Sequence, residues 1–475
     1  MTPTYARAIH WFRRDLRLTD NSALHAAVAA AGEVVTAYVV SPWKGSHAWT
    51  GPPRQAFLAS CLAALEGEVA RVGGRLIFRR GAALAELERL VRETRAEAIF
   101  FNRDPDPHGQ KVEAALAVRC REWGVALHGF KDVVLHEKGE VLTGAEKPYR
   151  VFTPYRRNWE AQPKPPVLPS VTRLVAPGAG LASDGVPTLA TWGLGACGAV
   201  LPEAGERAAR QRMERALDRV IPRYAETRNT PLGETTSRLS ADLRMGTLSV
   251  RELYHRVVAL AEAGSAEVKV SAQTYVGELA WREFYMQVLG HFPEVLEQEF
   301  DPSWRGLPWS YDESRLQRWK DGMTGFPIVD AGMRELRGTG QMHNRVRMIV
   351  AMFLTKDLRL DWRLGEHYFM QALIDGEIAS NNGGWQWSAG TGADAAPYFR
   401  IQNPWSQTKT YDPKGAYIRR WVPELAQAPL EALLGPAEDS LWGRRGGYPA
   451  PMVNHKEERE RTLEMFKAHR AAQGR

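Results

Sequence analysis

Along the first 130 residues, short apolar runs alternate with longer stretches that carry apolar side chains at helical spacing. The runs are AIHWF (Ala8 to Phe12), VVTAYVV (Val34 to Val40), RLIF (Arg75 to Phe78), AIFFN (Ala98 to Asn102) and VALHGF (Val125 to Phe130). Between them, Asn21 to Ala31, Pro53 to Val72, Ala82 to Arg95 and Gln110 to Trp123 read as helices. Strands alternating with helices predict a parallel sheet flanked by helices, a Rossmann-like α/β domain over residues 5–135. From Pro163 to about Glu206 the periodicity lapses into PKPP, APGAG and GLGACGAVLP, which predicts an interdomain linker over 136–205. Beyond it the pattern is almost wholly helical, in Glu206 to Tyr224, Ser249 to Ala263, Ala272 to Leu289 and Arg345 to Leu354. The expectation is an all-α domain over 206–475, closing in a charged, solvated helix from Lys456 to Ala472.

Two polar stretches interrupt the second half: QMHNRVRM (Gln341 to Met348) and DGEIASNNGGWQW (Asp375 to Trp387). The segment between them, Val350 to Ile374, is apolar on nearly every face, and a helix of that kind is buried. Arg345, Arg347, Asp375, Glu377, Asn381 and Asn382 are costly to bury unpaired, so the two stretches are expected to meet in a helical core around a ligand. Taken singly, the same residues read more plainly: Asn381 and Asn382 as a helix cap, Gly383 and Gly384 as a turn, the two Trp as core.

Composition changes this picture little. With 44% hydrophobic and 25% charged residues the chain is an ordinary globular protein of two or three domains. A net charge of +7 and a pI near 9.2 suit a polyanionic partner without requiring one. Cys61, Cys120 and Cys197 are scattered, with no CxxC pair and no ligand spacing with histidine, which argues against a disulfide framework or a zinc site. No signal-peptide core or bilayer-length apolar run occurs, so a cytoplasmic protein without a membrane partner is expected. The loop after the first strand, RRDLRLTDN, lacks the GxGxxG turn of a nicotinamide dinucleotide site.

Two further stretches carry candidate chemistry. TTSRLS (Thr235 to Ser240) offers hydroxyls, backbone amides and an Arg, a set suited to phosphate. ELAWREF (Glu278 to Phe284) puts Glu278, Trp281 and Arg282 within one helical turn, where they could bond a base edge, stack on it and touch phosphate. An amphipathic helix with an internal ion pair is the plainer alternative.

HNRxRM, DGxxAxNNGGWQW and TGADAAPYFRIQNP (Thr391 to Pro404) closely resemble the flavin domain of the cryptochrome/photolyase family, specifically class I cyclobutane pyrimidine dimer photolyases. WFRRDLRLTDN (Trp11 to Asn21) and KPYRVFTPYRRNWEAQPKP (Lys147 to Pro165) resemble the same family's opening and its entry into the linker. The resemblance implies an FAD, fully reduced in the active form, whose pyrophosphate is held by Thr236, Ser237, Arg238, Leu239 and Ser240 with Tyr224 and Arg228 nearby. It implies that Asn344, Arg347, Asp375, Gly376 and Glu377 surround the ribityl and isoalloxazine parts, Arg347 paired to Asp375, with Asn381 beside flavin N5. Glu278, Trp281, Asn344, Met348 and Trp387 match the dimer-binding set, joined by Arg282 and Arg345 toward DNA. Trp385, Trp362 and Trp309 match the family's electron path from surface to flavin. No metal is implied.

The implied activity is light-driven repair of pyrimidine dimers in DNA, by electron transfer from excited reduced FAD to a flipped-out dimer, in a monomeric lyase. Three rivals follow from the same residues. A cryptochrome photoreceptor is opposed by Asn381, where plant cryptochromes carry Asp, and by the lack of a long tail. A (6-4) photolyase has a His pair where this chain reads His343 and Asn344. A light-independent flavin oxidoreductase lacks a nicotinamide site here. For the α/β domain the resemblance implies a light-harvesting second chromophore. Asn102 to Lys111 is similar to users of 8-hydroxy-5-deazaflavin rather than of methenyltetrahydrofolate, whose Asn-Glu pair is replaced by His108 and Gly109; FMN and an empty pocket are the alternatives.

Overall fold

All five apolar runs are strands in the computed structural model of the chain, which describes residues 3–42, 47–178, 180–436 and 447–474. Position 179 of the expected linker, and 437–446 and 475 of the expected helical domain, lie outside the described residues. The strands are β1 (Tyr5–Phe12), β2 (Ala31–Val40), β3 (Leu76–Arg80), β4 (Ala98–Asn102) and β5 (Ala126–Phe130), in the order β3-β2-β1-β4-β5 with every pair parallel. The helices α1 (Ser22–Ala30), α2 (Pro52–Arg71), α3 (Ala83–Thr94) and α4 (Pro107–Trp123) make the crossovers. Ile9, Val35, Ile77 and Ile99 are fully buried, and a sheet covered on both faces is why its strands read as unbroken apolar runs. The ends are set by side chains and glycine: Asn21 Oδ1 accepts from the Leu24 N–H at 3.0 Å, and Gly124 at φ 70° turns α4 back so that the Val125 N–H reaches the Cys120 carbonyl at 2.9 Å.

The chain divides into two compact units, one of Met1–Cys197, Leu201–Pro222 and Ser237–Pro293, the other of Gly198–Val200, Arg223–Thr236 and Glu294–Arg475. The first therefore takes in α5 (Phe152–Ala161), α6 (Glu206–Arg215), α7 (Ser240–Met245), α8 (Val250–Ala263) and α9 (Ala266–His291) as well as the sheet. A buried ion cluster ties these helices to the loop after β1. Arg17 lies 2.7 Å from Asp132, and Arg251 lies 2.9 Å from Asp132 and 3.1 Å from Asp20, with all four side chains at most 3% exposed. Two cations against two carboxylates leave no uncompensated charge in the interior. Gly246, at φ 69°, closes this approach: a Cβ there would stand 1.8 Å from the Arg14 carbonyl oxygen.

The second unit is helical: α10 (Glu313–Lys320), α11 (Pro327–Thr339), α12 (Asn344–Met352), α13 (Trp362–Ala372), α14 (Ile378–Ala389), α15 (Pro404–Tyr411), α16 (Ala416–Trp421), α17 (Leu430–Leu434) and α18 (His455–Ala472). Trp319, Val346, Val350, Phe353, Trp362, Phe369, Trp385, Tyr417 and Phe466 belong to its core. Two expectations need correction. The apolar stretch Val350 to Ile374 is not one helix: α12 runs into a π turn at Phe353–Asp357, Arg359 adopts φ 53°, and Asp361 caps α13 by accepting from the Arg363 N–H at 2.9 Å. The break is stabilised from outside, since Ser310 donates to the Arg359 carbonyl at 2.8 Å and accepts from the Asp361 N–H at 3.1 Å. Nor is α18 merely solvated. Its Thr462 and Phe466 are fully buried, and the Lys356 ammonium sits 4.0 Å from the Phe466 ring centre while donating to the Ala389 carbonyl at 2.6 Å.

Candidate active site

The Asp375–Trp387 stretch forms the entry into α14 and nearly all of that helix, and it does not behave as a cap and turn. Glu377 occupies the N-cap position, Asn381 and Asn382 lie inside the helix, and Gly383 and Gly384 continue it. The Asn381 amide nitrogen donates to the Glu366 carbonyl at 3.1 Å. That of Asn382 is shared between Val295 O, at 3.0 Å, and Glu366 Oε1, at 2.9 Å. That bond engages one N–H of the Asn381 amide and leaves its oxygen as the acceptor the group can present. One turn on, Trp385 is 2% exposed and packs edge-on to Phe369 at 5.0 Å and Trp319 at 6.0 Å, over Gly365. Trp387 is only half-buried, because residues two apart on a helix face different ways.

An ion pair joins the Arg-rich stretch to this helix entry. Arg347 Nη2 lies 2.8 Å from Asp375 Oδ2, and its Nε donates to the Met342 carbonyl at 2.8 Å, so the guanidinium is fixed at both ends. Asp375 and Glu377 are buried, and Gly376 between them is too. On α12, Asn344 is exposed and Met348, four residues on, is half-buried on the same face. Arg345 is held by Asn229 Oδ1 at 2.7 Å and by the Tyr411 ring at 4.6 Å. Tyr224, buried, and Arg228 and Thr236, half-buried, lie in the same unit.

Trp309 and Trp362 converge on one carboxylate: their indole N–H groups lie 3.4 and 3.2 Å from Glu299 Oε1, which Arg363 also approaches at 3.3 Å. The sequence reading missed Glu299 and Glu366 alike. Burial pushes the Glu366 carboxyl up to about 7, against the opposing Asn382 hydrogen bond, and its Oε2 has no hydrogen-bond partner among the described residues.

In the first unit, Ser237 accepts from the Tyr275 hydroxyl at 2.8 Å. Arg238 is exposed at φ 54°, a conformation uncommon outside glycine, and buried Leu239 and exposed Ser240 lead into α7. On α9, Glu278, Trp281 and Arg282 are half-buried; Arg282 donates to the Val133 carbonyl at 2.9 Å, so it is partly committed to the fold. Trp281 stacks face to face on Phe152, with ring centres 3.6 Å apart. At the switch point between β1 and β4, where α/β sheets commonly bind ligands, this chain packs its own side chains. Asn102 donates to Asp15 at 2.7 Å and to Asn21 at 2.8 Å. Burial would raise the Asp104 carboxyl, but Arg14 and Arg13 bring it down to about 2.

Residues 275–468 match the FAD binding domain of DNA photolyase, and residues 8–172 match the DNA photolyase domain. A protein of Synechococcus sp. named deoxyribodipyrimidine photo-lyase is 39% identical, over 98% of each chain. A bacterial class III photolyase from Agrobacterium tumefaciens overlays with a TM-score of 0.90 at 36% identity, covering 99% of both chains. The cryptochrome of Synechocystis sp. overlays at 0.88 with 29% identity, over 98% of this chain and all of that one. The chain belongs to the DNA photolyase family. The second unit's polar set fits the cofactor of the matched domain: an Arg–Asp pair, a second buried carboxylate and an oriented amide supply polar partners of both kinds for a flavin edge. Among the described residues no group of His, Cys, Asp and Glu could hold a metal, and no helix is long and apolar enough to cross a membrane.

Proposed function

We propose that the chain is a light-driven DNA repair enzyme that splits cyclobutane pyrimidine dimers with bound FAD. FAD, when bound and fully reduced, supplies the light-excited electron that opens the dimer. The chain's own groups bind and orient. Arg347 and Asp375, locked to each other, keep one charge of each sign at fixed positions, neither of them left without an opposite charge. Asn381 presents an acceptor that can neither gain nor release a proton near neutral pH. That orientation is the observation carrying the reading, because it suits a flavin kept reduced for repair better than one that cycles protons for signalling. Tyr224, Arg228 and Thr236 in the second unit, and Ser237, Arg238, Leu239 and Ser240 in the first, are assigned to the cofactor's phosphate and ribityl parts.

For the substrate, Asn344, Met348 and Trp387 on the second unit, and Glu278 and Trp281 on the first, would meet a dimer that has left the duplex stack. Arg282 and Arg345 would add phosphate contacts, whose strength falls with salt. Class I, a monomeric state and the division into residues 5–135, 136–205 and 206–475 belong to this proposal too; the class rests on the motif residues, given the class III overlay. A deazaflavin antenna is favoured over a folate because position 109 has no room for a side chain. A Cβ there would stand 2.4 Å from Asp104, itself pinned by Arg13 and Arg14. Dark binding tests the substrate half directly. Reduced holoprotein should retain dimer-containing duplex more tightly than the same undamaged sequence, and equal retention would refute it.

A further inference from the structure

We propose that Phe152 is a positioning residue for substrate recognition: it backs Trp281 and fixes the angle at which that indole is offered to a base. This deepens the substrate reading above and rests on it. The two rings are parallel within 10° and their centres are 3.6 Å apart. That distance is already van der Waals contact, so the rings overlap with almost no offset. Aromatic pairs left to themselves prefer offset or edge-on arrangements over a face-to-face sandwich. The stack is therefore imposed by its supports.

Helix α5, which begins at Phe152, is bolted to α9 by contacts from Tyr155, Arg156 and Trp159: Trp159 donates to Glu283 at 2.7 Å, Arg156 donates to the Gln273 carbonyl at 3.0 Å, and Tyr155 packs on Phe284 at 5.3 Å. Glu283 is fully buried and also accepts from the backbone N–H groups of Leu135 and His136, which anchors the segment before α5 as well. Phe284 abuts the Trp281 ring edge-on at 5.6 Å. With Phe152 on one face, and Phe284 and the tilted Tyr285 ring at 5.5 Å beside it, the half-buried indole is held in a single plane, on the same helix as Glu278 and one turn beyond it. A base stacking on a platform already fixed loses less freedom on binding than one that must order the indole first.

The test uses reduced holoprotein in the dark, with dimer-containing and undamaged duplexes of one sequence, and the variants Phe152→Leu, Phe152→Tyr, Trp281→Ala and Phe152→Leu/Trp281→Ala. Leu fills space without a flat face; Tyr restores the face. Phe152→Leu should weaken dimer binding roughly two- to tenfold, the worth of an aromatic pair, with undamaged binding and flavin content unchanged. Phe152→Tyr should bind like the parent, and Phe152→Leu should add nothing once Trp281 is Ala. If Trp281→Ala weakens dimer binding but Phe152→Leu does not, or Phe152→Leu weakens it equally without Trp281, the positioning role is overturned and the substrate reading stands. If Trp281→Ala itself binds dimers like the parent, the substrate reading falls and the proposal with it.

Discussion

Gly365→Ala should destabilise the protein although it replaces glycine by the best helix former in the first turn of a helix. Position 365 lies within α13, where Gly to Ala ordinarily gains about 1 kcal/mol. Here an ideal Cβ would stand 2.1, 2.4 and 2.6 Å from Cη2, Cζ3 and Cζ2 of Trp385. The indole cannot step aside cheaply, since it is 2% exposed and hemmed by Phe369 and Trp319. Overpacking of this kind costs about 1–3 kcal/mol, and distances so far inside contact put the cost at the upper end. The net is a loss of roughly 1–2 kcal/mol. Gly384→Ala is the matched control: it too sits inside a helix, but nothing lies within 4 Å of its Cβ, so the ordinary gain should appear. Urea midpoints of the two variants should move in opposite directions from the parent. A Gly365→Ala midpoint at or above the parent's would show that Trp385 is not packed as described, and would undercut every role assigned to it.

Three further outcomes follow. Trp385→Phe should greatly slow light-driven reduction of the bound oxidised flavin while chemically reduced enzyme keeps its repair; transient absorption measures it, and equal rates would remove Trp385 from the electron path. Glu278→Ala should lower affinity for dimer DNA by a charged hydrogen bond's worth, about 1.5–3 kcal/mol, with flavin content unchanged, as read by dark binding. Unchanged affinity would refute that assignment. For Glu366→Gln the sign comes from a carboxyl raised to about 7 by burial: its stability contribution is full below the ordinary carboxylate range and lost as pH rises through about 7. The parent should therefore lose stability relative to the variant, by on the order of 2–3 kcal/mol, between pH ~4.5 and ~7, and parallel denaturation curves across that range would contradict it.

The sheet was legible because burial on both faces leaves strands as apolar runs that need no partner to be recognised, and because Asn21 and Gly124 end their helices by local chemistry. The meeting of the two polar stretches was legible for a different reason, since their charges are costly to bury unpaired, whereas the particular pair Arg347–Asp375 came from the family resemblance. What stayed hidden depends on residues distant in the chain. The break after α12 is held by Ser310, and without that partner Val350 to Ile374 reads as continuous helix. Glu366 lies inside that same stretch, where one carboxyl looks like a surface position until Asn381 and Asn382 are seen to bond around it. Glu299 means nothing until the indoles of Trp309 and Trp362 are brought to it. Phe152 and Trp281 likewise become a stack only once α5 lies on α9.

The most direct test is to count dimers. Purified protein carrying fully reduced FAD is mixed with an oligonucleotide holding a single cyclobutane thymine dimer and divided between blue light and darkness, beside the same strand holding a (6-4) lesion. Loss of the cyclobutane dimer in light alone, with the (6-4) lesion untouched and the flavin still reduced at the end, is the expected result. Flavin-loaded, reduced protein that leaves the cyclobutane dimer intact under light would contradict the assignment of this chain as a dimer-repairing enzyme.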